Sequence, residues 1–509
     1  MWQKKVMRAA MAVVAATALT ACSAGASNSA DAGGSEVGAD TLTVALTGEP
    51  VNLDFTTTAG AAIPQALMTN VYEGLVQIDQ DGQIQPLLAR SWEVSADGTV
   101  YTFDLQPGVT FSNGEAFTAA DVKFSIERVQ SDAWRSSLKA QMDVVESVTP
   151  LSDTRVEVRL ARPSHAWLFA MGTLVGAMFD PAGVDDLANE PIGTGPFTVA
   201  DWARGQAITL AARDDYWGRA PGVRTVVLRY FADAVATTNA LRAGDADVVY
   251  NMQAPELLQT FEDDDAFQVL EGTSNGEVML SMNNRAAPFD DVRVRRAVMH
   301  AIDRQAVVDT AWDGHGTLIG AAVPPTDPYY EDLTGVYPYD PDKARALLAE
   351  AGHPDGLDVT FTVPTRPYAT AVSEIVVSQL AEAGIRATIE SAEFPAVWLD
   401  QVFTRHDYQM SVILAVEARD FLTMFDNPDY YIGYDAARIA PLAAAADAAV
   451  GEDQYVRGMR EVVRTVTEDA AADPLFLFPT LVVAKADITG IPANSVTEAL
   501  DLTDIAWAA

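Results

Sequence analysis

Cys22 is the only cysteine in a chain of 509 residues. No disulfide can form within the chain, so whatever fold it adopts must be held by packing alone. A hydrophobic content of 49% supplies material for a core. About 470 residues follow the N-terminal segment, which is more than one core usually holds. A chain with more than one lobe is expected.

The position of that cysteine is informative. Lys4, Lys5 and Arg8 precede an uncharged, mostly apolar run from Ala9 to Leu19. Such a run is a signal-peptide core, too short for a bilayer that needs about 20 apolar residues. It ends in Leu19-Thr20-Ala21-Cys22, which looks like a bacterial lipobox. Small residues there fit the peptidase, and the thiol takes the diacylglycerol. Residues 1–22 are read as a lipoprotein signal peptide with lipidation at Cys22, the alternative being an ordinary secretory signal. Ser23 to Ala39 is rich in Ser, Ala, Gly and Asp without an apolar period, so 23–40 is expected to be a flexible linker reaching about 20–25 Å.

The net charge is −38. A field of that sign repels nucleic acid and anionic lipid headgroups, so no nucleic-acid partner is expected. Because the acids are spread along the chain, they read mainly as a solvated surface, with a preference for cationic ligands as the lesser reading.

Strands and helices alternate. Leu42 to Leu46 alternates like a strand and runs into the turn Gly48-Glu49-Pro50, and Thr99 to Leu105 alternates strictly. Strands recur at Thr154–Leu160, Phe197–Trp202, Ala207–Ala212 and Thr225–Tyr230; helical spacing appears at Gln65–Val76, Asp233–Ala243, Val292–Ile302 and Asp342–Ala351. Thr118 suits an N-cap, with Asp121 at N3 and Phe117 and Val122 as a hydrophobic staple. Arg293, Arg295 and Arg296 crowd one helix start and are expected to pair with Asp290, Asp291 and Asp303. Trp92, Tyr101, Trp202 and Trp217 read as core. The pattern implies α/β architecture without repeats.

Enzyme chemistry finds little support. Gly272-Thr273-Ser274-Asn275-Gly276 matches G-x-S-x-G, the nucleophile pattern of serine hydrolases, which requires a strand, a sharp turn and a helix. Here both flanks, Phe267–Leu270 and Val278–Met282, are strand-like, so the segment is expected to be a hairpin turn and a secreted hydrolase is a remote alternative. The five histidines are scattered singles, with no metal-ligand spacing. Neither metal nor cofactor is expected.

Several blocks, taken in order, resemble a known family. They run Tyr72-Glu73-Gly74-Leu75, Pro86 to Glu93, Tyr101-Thr102-Phe103, and Gly108 to Gly114, where Asn113 replaces the usual Asp. Then come Pro191 to Phe197, Asp215-Tyr216-Trp217-Gly218, Leu241 to Asp247, Asn283 through Arg304, and Tyr339 to Gly352. From about Thr41 onward the chain resembles the family 5 (peptide/nickel, dipeptide/oligopeptide-type) extracellular solute-binding proteins of ABC importers. The resemblance implies a two-lobed, type II clamshell like that of periplasmic binding proteins, with a small domain inserted in lobe I. Its implied boundaries are 41–66 for the first part of lobe I, 67–191 for the inserted domain, 192–278 for the rest of lobe I, 279–479 for lobe II and 480–509 for the return. The lobes would close by hinge motion on a small peptide or peptide-like ligand and dock, as a monomer, on a membrane permease. Chelated nickel, an opine or an oligosaccharide are alternative ligands, and a signalling lipoprotein is an alternative role.

The same resemblance nominates site residues. Arg366-Pro367-Tyr368 is similar to the motif with which dipeptide receptors hold the ligand carboxylate, a task suited to a guanidinium fork. The ammonium partner is expected after the strand Met410–Val416, where Glu417 or Asp420 could serve; the usual Trp is missing and Arg419 intrudes. Trp398 and the loop Glu49–Asp54, including Asn52, are further cleft candidates.

Overall fold

The computed structural model describes residues 40–58, 60–135 and 137–508. Cys22 and the segments expected as signal peptide and linker lie outside them, save Asp40. Among the described residues, β-rich segments assemble into two large mixed sheets. Thr41–Leu46 is central in the first, pairing in parallel with both Thr225–Tyr230 and Val248–Tyr250. A strand flanked in this way is buried on both faces, which is why Leu42, Val44, Ala45 and Leu46 all sit in cores. The full order of this seven-stranded sheet is 267–272, 480–485, 248–250, 41–46, 225–230, 207–212 and 197–203. The second sheet has five strands in the order 385–392, 357–364, 410–415, 277–282 and 472–477. Its parallel pair, Leu357–Pro364 with Ile385–Ala392, is joined through the helix Pro367–Glu382.

A four-stranded antiparallel sheet, ordered 89–94, 100–105, 155–160 and 145–152, shares a continuous core with the seven-stranded one. In Val100–Leu105 the residues Tyr101, Phe103 and Leu105 point inward and alternate with half-exposed neighbours. The helix Ala119–Gln130 starts with the expected capping box: Thr118 accepts from Ala120 N, while Asp121 accepts from Thr118 N at 2.7 Å.

Two buried polar groups tie this part together. Arg213 donates to the carbonyls of Gly193, Gly195, Thr110 and Phe111, and also pairs with Asp215. Glu73 accepts from the Tyr216 hydroxyl at 2.7 Å and from Trp217 Nε1 at 3.0 Å, and burial raises its carboxyl to about 7. Glycine is needed at 193 because a Cβ there would lie 1.9 Å from Val71 O; the chains cross, with Gly195 N donating to that carbonyl. Asn113 donates to Asp180, where a second carboxylate would be repelled.

Three expectations are corrected. The helix at Gln65–Val76 spans only Ala62–Leu67, because Thr69 turns into the left-handed region at φ 65°. Arg293 pairs with Asp291 as expected. Arg295 and Arg296 instead donate to carbonyls of Phe289, Glu468, Asp469 and Ala470, because their side chains lie against the loop after the helix Glu452–Glu468. Gly272–Gly276 is not a hairpin turn, since its flanking strands belong to different sheets.

In the second lobe Arg304, which opens the helix Arg304–Ala311, pairs with Asp473 in the strand Ala472–Leu477. Asp473 is fully buried. Asp473→Ala is expected to destabilise the protein by about 3–5 kcal/mol by stranding the guanidinium, measured by denaturant titration. The double variant Arg304→Met, Asp473→Leu should recover most of that loss. Equal instability of the two variants would show that the pair carries no such coupling.

Candidate ligand-binding cleft

The strands Phe267–Gly272 and Thr480–Lys485 are antiparallel neighbours in the first sheet. Their continuations, Glu277–Met282 and Ala472–Leu477, are antiparallel neighbours in the second. A two-stranded ribbon therefore passes through both lobes, changing sheets at residues 273–276 and 478–479. Ser274 Oγ donates to Phe478 O at 2.5 Å and accepts from Gly276 N at 2.9 Å, so its hydroxyl clips one crossing to the other. Residues 494–496 brace the same point: Ser495 N donates to Thr273 O, and Asn275 to Val496 O. Short paired crossings of this kind let two rigid bodies rotate about a narrow axis.

A row of cavities opens between the lobes. One of about 110 Å³ lies beside the crossings, lined by Tyr250, Asn251, Leu414, Phe478 and Glu498 among others. A second, of about 100 Å³, is lined by Phe403, Glu417, Asp420, Tyr430 and Glu498. A larger chamber of about 420 Å³ follows, walled by Trp167 and Phe169 from the four-stranded side and by Arg419, Asp447 and Tyr455 from the other. Glu498 lines the first two cavities, and Gln141 and Thr423 line the last two.

At their outer edge the lobes touch. Asp447 accepts from the Ser164 hydroxyl at 2.9 Å, from Ala166 N at 3.2 Å and from Arg162. The His165 ring stacks on Tyr455 at 4.6 Å. Arg419 lies 3.7 Å over the Phe169 ring and pairs with Asp327 at 3.4 Å. The clamshell is thus closed in this structure.

The inner cavity is acidic. Asp420 and Glu277 are 6% and 2% exposed, and Asp420 Oδ2 and Glu277 Oε2 have no hydrogen-bond partner among the described residues. Desolvation raises both carboxyls well above the usual range, reinforced at Glu277 by the charges of Asp420 and Asp327 and at Asp420 by those of Glu417 and Asp327. Glu417, though it keeps an exposed surface, is raised by desolvation in the cleft, and burial and the charge of Glu417 push Glu498 up to about 7.

The nominated residues fall in different places. Glu417 and Asp420 line the acidic cavity together. Tyr368 is buried behind the strand Met410–Ala415, where its hydroxyl accepts from Leu414 N at 2.9 Å and its ring lies 6.0 Å from Phe478, and burial pushes the phenol to about 12. Arg366 is exposed at the start of the helix Pro367–Glu382, its guanidinium 4.8 Å from the Phe394 ring. Trp398 is packed in the core of the second lobe with Nε1 donating to Ser411. Asn52 supports its own loop through Thr58 and Asp54 N. None of Arg366, Trp398 and Asn52 lines the three cavities described.

Glu277 and Glu498 went unnoticed in the sequence. A charged residue opening the otherwise uncharged strand Glu277-Val278-Met279-Leu280-Ser281-Met282 is a signal that could have found the first. Glu498 lies in an irregular segment and reaches the cleft only through the fold.

Comparison with known proteins supplies the family. A model of bacterial extracellular solute-binding proteins, family 5, matches residues 83–432. The chain belongs to that family. Among curated relatives of this family 5 protein, heme-binding protein A of Haemophilus influenzae is 31% identical over 360 residues, 64% of this chain and 65% of that protein. The glutathione-binding protein GsiB of Escherichia coli is 30% identical over 344 residues, 66% of each chain. The match thus spans just under two thirds of the length of these relatives. The structure of AgaA from A. tumefaciens R10 in complex with agropinic acid superposes with a TM-score of 0.79 at 25% identity, covering 92% of this chain and 99% of that one. DppA from Helicobacter pylori in complex with the peptide STSA gives 0.80 at 23% identity, covering 92% and 98%. The fold is that of two-lobed periplasmic binding proteins. As a family 5 solute-binding protein the chain is not an enzyme, and its G-x-S-x-G segment is part of the interlobe crossing.

Carboxyls raised in the folded state hold protons that the unfolded chain releases above about pH 4–5. The folded state then binds more protons than the unfolded state, and stability falls as pH rises. The unliganded protein should lose melting temperature between about pH 5 and 8, and Asp420→Asn with Glu498→Gln should flatten that slope. The groups facing these two are Glu277, Asp327, Glu417 and Tyr430. A wild-type slope unchanged in the double variant would contradict the assignment.

Proposed function

We propose that this chain is the extracytoplasmic receptor of an ABC importer, which closes on a small peptide or peptide-like solute and delivers it to a membrane permease. The observation that carries this reading is a row of cavities walled from both lobes and placed beside a two-strand hinge. A site built in that way exists only when the lobes are together, so binding and closure are one event. The reading places the protein outside the cytoplasmic membrane as a monomer, tethered by lipid on Cys22. Glu417 or Asp420 is assigned to the ligand ammonium. Arg366, exposed and outside the three cavities, is assigned to the carboxylate of a ligand long enough to extend beyond them, its guanidinium bearing no carboxylate partner among the described hydrogen bonds.

Ligand-driven closure is tested by screening peptides, opines, oligosaccharides and chelated nickel for a rise in melting temperature. A hundredfold excess over Kd should add about 2.7 kcal/mol, and the ligand that does so should shift the balance of open and closed forms seen by small-angle scattering toward the compact one. A stabilising ligand that leaves the scattering profile of an open fraction unchanged would count against hinge closure. Arg366→Ala should weaken binding of that ligand by about 2–5 kcal/mol, with Arg366→Lys recovering part; equal calorimetric affinities would remove Arg366 from the site. Anchoring is tested separately: Cys22→Ser should release the protein from the membrane fraction, and tight retention of that variant would refute the lipid anchor.

A further inference from the structure

We propose that the inner cavity takes a doubly cationic group, the α-ammonium and basic side chain of an amino-terminal lysine or arginine residue. This rests on the peptide-receptor reading above and names the class of peptide. Three carboxylates, Glu417, Asp420 and Glu498, line one space of about 100 Å³, and among the described residues no Lys, Arg or His lines it. Asp420 lines the cavity and is nine-tenths buried, and its Oδ2 has no hydrogen-bond partner among the described residues. Glu277, also buried with an orphan oxygen, interacts electrostatically with Asp420 and Glu417. The nearby guanidinium of Arg419 is committed to Asp327 and to the Phe169 ring on the side of the larger chamber.

Buried carboxylates such as Asp420 and the neighbouring Glu277 are stable as anions only beside cations, and a ligand in this cavity can supply them. One ammonium answers one of them. Among the described residues no three acids or histidines are grouped so as to hold a metal ion, so the cation proposed here is organic. Phe403 and Tyr430, whose rings meet edge to face at 5.4 Å, line the same cavity and offer aromatic faces to an ammonium or guanidinium.

The test is calorimetry on the full chain with three probes: Lys-Ala-Ala, Ala-Ala-Ala and 1,5-diaminopentane. Lys-Ala-Ala should bind about ten- to hundredfold more tightly than Ala-Ala-Ala, as expected for one further charge-assisted contact in a closed site. Glu498→Gln should remove most of that ratio, an effect that a merely structural role for Glu498 would not produce. Equal or weaker binding of Lys-Ala-Ala overturns the charge inference and leaves the peptide-receptor reading standing. Binding of the diamine with neither tripeptide keeps the cation site and overturns the peptide reading. Failure of all three probes to bind overturns both.

Discussion

The Ser274 hydroxyl, donating to Phe478 O and accepting from Gly276 N, clips together the two places where the chain changes lobes. Both crossings are only a few residues long, and each joins strands that are neighbours in both sheets. The lobes consequently share one ribbon, and their relative motion is restricted to rotation about it. Every cavity wall described above takes its position from that restriction, since residues as distant in sequence as Gln141, Asp420 and Glu498 converge only when the ribbon holds the lobes facing each other.

Closure is then held at two levels with different physics. At the rim, Asp447 meets the Ser164 hydroxyl, Ala166 N and Arg162, contacts that water can replace when the lobes part. Deeper in, desolvation and then repulsion among Glu277, Glu417, Asp420 and Asp327 oppose the charged forms of Glu277 and Asp420, outweighing the backbone hydrogen bonds that favour them. Closing an empty cleft therefore demands protonation or carries a penalty, whereas closing on a cation relieves it. On the proposed reading, this opposition would make a binding site out of groups that otherwise only weaken the fold, and a ligand would then bias the lobes toward closure.

Much of the fold was legible because it depends on local rules. The alternation of Val100–Leu105 shows which face is buried, the Thr118–Asp121 capping box marks a helix start, and Asp340-Pro341 with Gly352 brackets the helix Pro341–Glu350. The helix expected through Val76 stopped at Leu67 because Thr69 bends the chain toward a non-local crossing with residues 193–195. Gly272–Gly276 looked like a hairpin because two adjacent strands are usually paired with each other. Here each pairs instead with a segment some 200 residues away.

The site divided along the same line. Sequence alone determined the family blocks, the N-terminal Leu19-Thr20-Ala21-Cys22 motif, the α/β class, and the nomination of Glu417 and Asp420, all properties of contiguous residues. Only the tertiary structure decided that Glu277 and Glu498 join those two acids, that Trp398 belongs to a core, and that Arg419 is spent on Asp327 and Phe169. The reason is physical. Whether a carboxylate is a solvated surface charge or an unpaired buried one depends on what surrounds it in space, and its immediate neighbours along the chain carry almost none of that information.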